Sequence, residues 1–130
     1  MQELYPVPLR CLAHARSGDK GDIANIAVFA YDAHFYDTLV EQLTAASVQE
    51  HYGAMFRGPV RRYEVANLHA LNFVCEGALG GGVSRSLRLD NYGKSLAAAI
   101  LAVPILLSRE QLTAVDARLL AAAGVHLPPY

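Results

Sequence analysis

The chain has 130 residues, a formal net charge of −1, 53% apolar residues and 18% charged residues. This length gives one domain with a core of its own and leaves no room for a second. The small net charge argues against general nucleic-acid binding, and the longest apolar run, 96–107, is too short and too interrupted by Pro104 to cross a membrane. Because the apolar fraction exceeds that of an ordinary soluble domain, we expect a surface that is buried in an oligomer.

The two cysteines, Cys11 and Cys75, both lie in apolar runs. The chain starts without the pattern of a secretory leader, so we interpret both as reduced core residues of a cytoplasmic protein. The histidines are scattered, with no spacing typical of a metal site, and no metal is expected.

In chain order, the first predicted element is a strand over residues 7–15, where apolar side chains recur with period two. Ala15–Asp22 follows with the sequence ARSGDKGD, which combines glycines, carboxylates, cations and a hydroxyl. Such a polar segment between two apolar runs predicts a loop that joins two strands, and such loops often carry function. The second strand is predicted over Ile23–Tyr31.

The predicted loop has the composition of an anion-binding site. Gly18 and Gly21 can adopt a positive φ and turn several backbone N–H groups toward one point. Arg16, Ser17 and Lys20 add positive charge and a hydroxyl. The expected guest is a small carboxylate or phosphate.

Two carboxylates in this loop have two alternative roles. Asp19 and Asp22 either orient the neighbouring cations or carry protons in catalysis. Lys20 could instead form a Schiff base, but the adjacent carboxylates would raise its pKa, which disfavours that role. Composition supports a plain alternative at least as well, namely a polar turn whose charges pair with one another and face water.

Two helices and two strands are predicted next. The first helix covers residues 33–44 with Asp32 as its N-cap, and the second covers residues 46–56 and ends before Gly58 and Pro59. Strands over 60–65 and 70–76 follow, each with alternating faces.

Two asparagines lie inside the predicted strands. Asn25 is the one polar side chain in the strand 23–31, and Asn72 lies opposite the apolar face of the strand 70–76. Asn25 is interpreted first as a residue that ties down the adjoining loop and second as a ligand contact. Both are included in the candidate ligand set.

A second glycine-rich segment follows the strand 70–76. It contains three consecutive glycines: Gly80, Gly81 and Gly82. They cost backbone entropy that a plain turn would not require, so the chain there bends in a left-handed sense or admits another molecule. Ser84, Arg85 and Arg88 come next and suit an oxyanion. If the fold brings this segment beside Ala15–Asp22, the two form one pocket.

The last predicted elements are helical. Asp90 is expected to cap a helix over residues 92–103, which Pro104 ends. The sequence SREQ at 108–111 has the pattern of a capping box and predicts a helix through residue 123.

The segment RSGDKGDIANI, together with 58–60, 70–82 and 84–90, resembles the small AtuA-like domain. That domain is found at the C-terminal end of acyclic terpene utilisation proteins and as a short separate chain. The resemblance covers about residues 8–103. It implies a ferredoxin-like α+β sandwich: a four- to five-stranded, mainly antiparallel sheet with helices on one face. It also implies work beside a larger domain in the breakdown of branched or terpenoid acyl-CoA compounds.

With this resemblance, we expect a single domain over residues 1–130. Its core covers about 8–103, and a helical extension covers 104–130.

Two functional hypotheses fit these observations. In the first, the chain is a small subunit or stand-alone domain of an acyl-CoA-processing complex of the hydratase or lyase type, with Asp19, Asp22 and Lys20 as candidate catalytic residues. Its two glycine- and arginine-rich loops would bind a carboxylate or a CoA thioester. The candidate ligand residues are Arg16, Ser17, Gly18, Gly21, Asn25, Asn72, Gly80, Gly81, Gly82, Ser84, Arg85 and Arg88.

In the second hypothesis, the chain is a non-catalytic interaction or assembly module whose loops dock on a larger partner. The expected partners are a larger AtuA-type chain and a small-molecule acid or acyl-CoA, within a homo- or hetero-oligomer, and neither nucleic acid nor membrane. No cofactor is expected, and a CoA thioester would enter only as a substrate. The sequence leaves open whether the chain is catalytic alone.

Overall fold

The computed structural model describes residues 3–20, 23–53, 58–77 and 96–125, apart from the side chains of residues 19 and 20. The strands within these ranges are β1 (Leu4–Pro8), β2 (Ala13–Lys20), β3 (Ile23–Ala30), β4 (Val60–Val65), β5 (Ala70–Glu76) and β6 (Pro104–Ser108). The helices are α1 (Ala33–Gln42), α2 (Ala45–Tyr52), α3 (helical over 96–100), α4 (Arg109–Thr113) and α5 (Ala117–Ala122). Short 3-10 turns cover Leu9–Cys11 and Ala66–Leu68.

The main sheet has the strand order β2-β3-β5-β4, and every neighbouring pair is antiparallel. β1 and β6 form a separate antiparallel pair. Because β5 lies antiparallel between β3 and β4, those two strands run parallel, and α1 and α2 form the crossover between them. The predicted α+β architecture with a four-stranded antiparallel sheet is confirmed.

The core lies between the helices and one face of the main sheet. Leu71, Phe73 and Cys75 are fully buried along β5, so the predicted apolar face of this strand is confirmed. The buried side chains of β3 and of the helices join them in one cluster: Ala24, Ile26, Val28, Phe35, Leu39, Val48, Leu96 and Ile100.

Caps define the ends of the two crossover helices. The Asp32 carboxylate accepts a hydrogen bond from a first-turn backbone N–H at 2.9 Å, so α1 begins as predicted. Thr44 and Ser47 form a reciprocal capping box at the start of α2. This helix ends at Tyr52 and not at Phe56 as predicted, and the next residue, Gly53, has a φ of 60° that suits the position after a helix.

The predicted single strand over residues 7–15 is wrong. Leu9–Cys11 forms a 3-10 turn, and the Leu9 N–H donates to the Val103 carbonyl at 2.9 Å instead of to a strand of the main sheet. Leu9, Cys11 and Leu12 are therefore all buried, which no period of two could produce.

The chain after residue 103 contains a strand that the sequence did not predict. β6 pairs with β1, with Ile105 opposite Val7, and both Ile105 and Leu107 are fully buried. Pro104 therefore begins a strand and does not end a helix. Because β1 and β6 each have five residues and lie far apart in sequence, local periodicity gave no sign of their pairing.

The predicted helix over 108–123 is instead two helices. The capping box of Ser108 and Gln111 is confirmed at the start of α4. The chain then leaves the helix after Thr113, and the Asp116 carboxylate accepts from the Arg118 N–H at 2.8 Å to begin α5. Hydrogen bonds from Arg118 lower the pKa of Asp116.

Gly58 lies where the chain enters β4 beside β5. Its N–H donates to the Glu76 carbonyl at 2.9 Å, and a Cβ on Gly58 would lie 2.8 Å from that same oxygen. The backbone would have to move to accept a methyl group, so Gly58→Ala is expected to lower the free energy of unfolding by about 1–3 kcal/mol in urea titrations. Gly18→Ala is the matched control, since a Cβ on Gly18 would meet Asn25 Oδ1 at an ordinary 3.7 Å. Equal losses in the two variants would contradict this account.

Cys11 and Cys75 are both free and buried, as predicted. Burial raises the pKa of Cys75 from 9.0 to about 11. The unfolded chain therefore loses this thiol proton first, and the stabilisation from Cys75 is complete below about pH 9. It is lost, by about 2–3 kcal/mol, as the pH rises toward 11. Urea unfolding of Cys75→Ala should show a correspondingly flatter pH dependence between these values, and parallel curves for the two chains would refute the prediction.

Candidate functional site

The face of the main sheet turned away from this core, here called the open face, holds the candidate site. Cross-strand register assigns to it His14, Arg16, Gly18, Ile23, Asn25, Ala27, Phe29, Arg61, Tyr63, Val65, Ala70, Asn72, Val74 and Glu76. Successive residues of a strand point to opposite faces, so these side chains come from alternate positions of β2, β3, β5 and β4.

The polar segment that was predicted as a loop is largely a strand. β2 includes residues 13–20 and pairs with β3 up to the Lys20–Ile23 pair, so only Gly21 and Asp22 separate the two strands. Gly18 lies inside the strand and does not adopt a positive φ. The prediction of a loop failed because a strand with one solvent-facing side accepts polar residues at alternate positions.

The open face brings Arg16 into line with Asn72. In register, Arg16 is opposite Ala27, which is opposite Asn72, which is opposite Tyr63. Neighbouring strands lie about 5 Å apart, so the long Arg16 side chain and the Asn72 amide can both reach one small anion above Ala27. Because Ala27 has a short side chain, it leaves space between them.

The next row of paired residues across the sheet contains a second amide side chain, that of Asn25. Gly18 is opposite Asn25, which is opposite Val74, and Val74 is opposite Arg61. Asn25 Nδ2 donates to Asn72 Oδ1 at 2.8 Å and links the two lines diagonally. This bond uses the Asn72 carbonyl oxygen, so the Asn72 Nδ2 amide is oriented to donate to a guest.

Arg61 and Arg62 are adjacent in sequence but have different roles. On the open face, Arg61 pairs with Glu76 at 3.4 Å, and both side chains are well exposed. On the core side, Arg62 Nη1 donates to the carbonyls of Val40 and Leu43 at 2.7 and 2.9 Å. Arg62 therefore satisfies carbonyl groups at the C-terminal end of α1 and is not available to a ligand.

The remaining predicted site residues lie either within the described ranges or outside them. Strand alternation places Ser17 on the opposite face from Arg16, in register with the buried Ile26. The backbone of Asp19 and Lys20 ends β2, beside the start of β3. The other candidates lie outside the described residues: Gly21, Asp22, Gly80, Gly81, Gly82, Ser84, Arg85 and Arg88.

A groove on the helical side is the wrong environment for an anion. It has a volume of about 560 Å³ and lies between α1 and α4. Asp37, Glu41 and Glu110 line it, and their carboxylates would repel a carboxylate or a phosphate. Arg16 and the two amides therefore make the open face the better candidate.

Within 3–20, 23–53, 58–77 and 96–125, no group of three or more His, Cys, Asp or Glu side chains could hold a metal ion. In the same ranges, no helix is both long and apolar enough to cross a membrane.

The sequence did not indicate that three aromatic side chains lie near the polar residues of the open face. They are Phe29, Tyr31 and Tyr63. Phe29 and Tyr63 are open-face residues, while Tyr31 directly follows β3 and has a ring stacked on that of His14. The alternation of Arg61, Tyr63 and Val65 was visible in the sequence. The register that puts Tyr63 opposite Asn72 was not, because it depends on strands that meet only in the fold.

The fold and the open face define a class of small α+β domain, in which helices cover one side of an antiparallel sheet and the other side presents a polar and aromatic surface. A family model described as the AtuA ferredoxin-like domain matches residues 7–106. The chain therefore belongs to the AtuA ferredoxin-like domain family, which confirms the resemblance found in the sequence. Searches of curated proteins and of solved structures found no match.

Proposed function

We propose that this chain is the small, ligand-binding subunit of an acyl-CoA-processing complex of the acyclic terpene utilisation type. The observation that carries the proposal is the convergence of Arg16, Asn25 and Asn72 on one face from three neighbouring strands. The ligand is a carboxylate or a CoA thioester, whose carboxylate, phosphate or thioester oxygens these groups would bind.

Charge and hydrogen bonding both support such a ligand. The Arg16 guanidinium offers several N–H donors in a planar fork suited to carboxylate and phosphate oxygens. Asn72 adds a neutral amide donor whose orientation is fixed by its bond with Asn25. We further propose that Arg85 and Arg88 of the second glycine-rich segment contribute to the same ligand.

The chemistry proposed for the complex is hydration of an enoyl thioester or its reverse. Asp19 or Asp22 would take a proton from water as the water oxygen attacks Cβ. The enolate oxygen of the thioester would accept hydrogen bonds from the amide donors until the protonated aspartate gives its proton to Cα. Dehydration would follow the same steps backwards.

One exposed face of a sheet does not enclose a ligand by itself. Enzymes that stabilise charged intermediates do so in sites from which water is excluded. We therefore propose that a larger AtuA-type chain covers the open face and that turnover takes place in the complex, whereas this chain alone binds the ligand without converting it.

Native mass spectrometry of the chain alone, and of the chain purified with the larger partner, tests the proposal with isovaleryl-CoA as the probe. Wild type should retain the probe and Arg16→Ala should lose it. Arg118→Ala is the matched control, since Arg118 lies exposed on α5. Equal retention by Arg16→Ala, or no retention by any form, would overturn the proposal.

A second candidate function is a non-catalytic assembly module. Ile23 and Tyr63, which are 44% and 50% exposed, present large apolar surface on the open face, as a docking surface would. On this hypothesis Tyr63→Asp abolishes co-purification with the larger chain, and no form of the complex retains isovaleryl-CoA. If Tyr63→Asp still co-purified with the larger chain, the function as an assembly module would be excluded.

A further inference from the structure

Three aromatic rings, here called the aromatic triad, stack at one end of the open face: His14, Phe29 and Tyr31. The His14 and Phe29 centroids are 5.0 Å apart with an interplanar angle of 14°, and the His14 and Tyr31 centroids are 5.8 Å apart at 30°. His14 is opposite Phe29 in register, so the contact between these two rings is a direct consequence of the β2–β3 pairing.

Tyr31 is the ring of the aromatic triad that a planar guest can reach most easily, since Phe29 is partly buried. Tyr31 is 53% exposed, although a Tyr ring buries most of its area when it belongs to a core. Its backbone is held, because the Tyr31 N–H donates to the Leu12 carbonyl at 2.9 Å. Because the Tyr31 ring already stacks on His14, it loses less conformational entropy when a guest stacks on it than a free ring would.

A cation lies next to the aromatic triad. Arg16 follows His14 by two residues on the same strand and the same face, so their Cα atoms are about 7 Å apart. Farther along β2, Gly18 has no side chain, and a Cβ there would lie 3.7 Å from Asn25 Oδ1, an ordinary contact. Aromatic surface, a guanidinium and a residue without a side chain follow one another along β2. This order fits a molecule in which a planar base carries a phosphate and a flexible arm.

We propose that the aromatic triad binds the adenine ring of a CoA thioester and that Arg16 binds its ribose phosphate. This inference rests on the proposed function and deepens it, because it gives the bound thioester a direction. The pantetheine arm then runs along the face past Gly18 toward Asn25 and Asn72. The small negative net charge of the chain favours such a small ligand over a polynucleotide.

Isothermal titration of the full chain with CoA, phosphopantetheine and adenosine bisphosphate tests the inference. Phosphopantetheine lacks the adenosine, and adenosine bisphosphate lacks the pantetheine arm. Tyr31→Leu removes the ring and should weaken binding of CoA and of adenosine bisphosphate about tenfold. It should leave phosphopantetheine binding unchanged, which also shows that the variant is folded. Tyr31→Phe keeps the ring and should restore CoA binding.

Several results would overturn the inference. Tyr31→Leu could bind CoA as tightly as the wild type, or the wild type could bind CoA no more tightly than phosphopantetheine. In both cases the proposed function would survive, provided that Arg16→Ala still lost isovaleryl-CoA. Two other results would assign the aromatic triad to a different partner. The wild type could bind an adenylate oligonucleotide more tightly than CoA, or Tyr31→Leu could lose self-association while it still bound CoA.

Discussion

Asn72→Asp is expected to weaken binding of isovaleryl-CoA about a hundredfold while leaving the fold intact. The aspartate has nearly the same shape and can still accept the hydrogen bond from Asn25 Nδ2. It places a negative charge in the middle of the proposed anion site and removes the amide that would donate to the ligand. Isothermal titration at low and at physiological salt measures the loss, which should be smaller at the higher ionic strength.

Asn67→Asp is the control for this substitution. Asn67 lies exposed in the 3-10 turn between β4 and β5, so the new charge enters the chain outside the sheet. Both variants should unfold in urea within about 0.5 kcal/mol of the wild type, as surface substitutions usually do. If Asn72→Asp and Asn67→Asp bound isovaleryl-CoA equally well, Asn72 would have no part in anion binding.

Phe73→Ala is expected to reduce the free energy of unfolding by about 3–5 kcal/mol, since it leaves a large cavity in the core. Phe73 is among the largest fully buried side chains and lies on the core side of β5. This loss is a large part of the stability of an ordinary domain, and the variant should unfold at a much lower urea concentration.

The neighbouring Val74 provides the matched comparison, because it is one residue away on the open face and only partly buried. Val74→Ala should cost about 1 kcal/mol or less. A larger loss for Val74→Ala than for Phe73→Ala would mean that the two faces of the sheet had been assigned the wrong way round.

The parts of the fold that depend on local chemistry could be predicted from the sequence. Asp32 and Ser108 were recognised as helix caps because a side-chain oxygen before an amphipathic run satisfies N–H groups of the first turn. The alternation of Leu71, Phe73 and Cys75 likewise predicted the buried face of β5.

The parts that depend on distant pairing could not be predicted. β6 was missed since its partner β1 lies near the other end of the chain, and neither strand has a strong periodic pattern. The break between α4 and α5 was missed because Leu112, Val115 and Leu119 keep helical spacing across it. Asp116 decides the outcome by capping a new helix.

The candidate site shows the same division. The sequence singled out Arg16, Asn25 and Asn72 by residue type, but it treated the segment around Arg16 as a loop. Only the register shows that Arg16 and Asn72 lie on one line across the sheet and that Ser17 lies on the other face. A polar segment with glycines can therefore be a strand when one face of its sheet is open.

The most direct test of the central claim, that the open face binds the ligand, is a map of amide chemical shifts during titration with isovaleryl-CoA. We predict that the largest changes fall on β2, β3 and β5, around Arg16, Asn25 and Asn72, and that α1 and α4 change little. The largest changes at the acidic groove between α1 and α4, or no change anywhere at saturating probe, would contradict the claim.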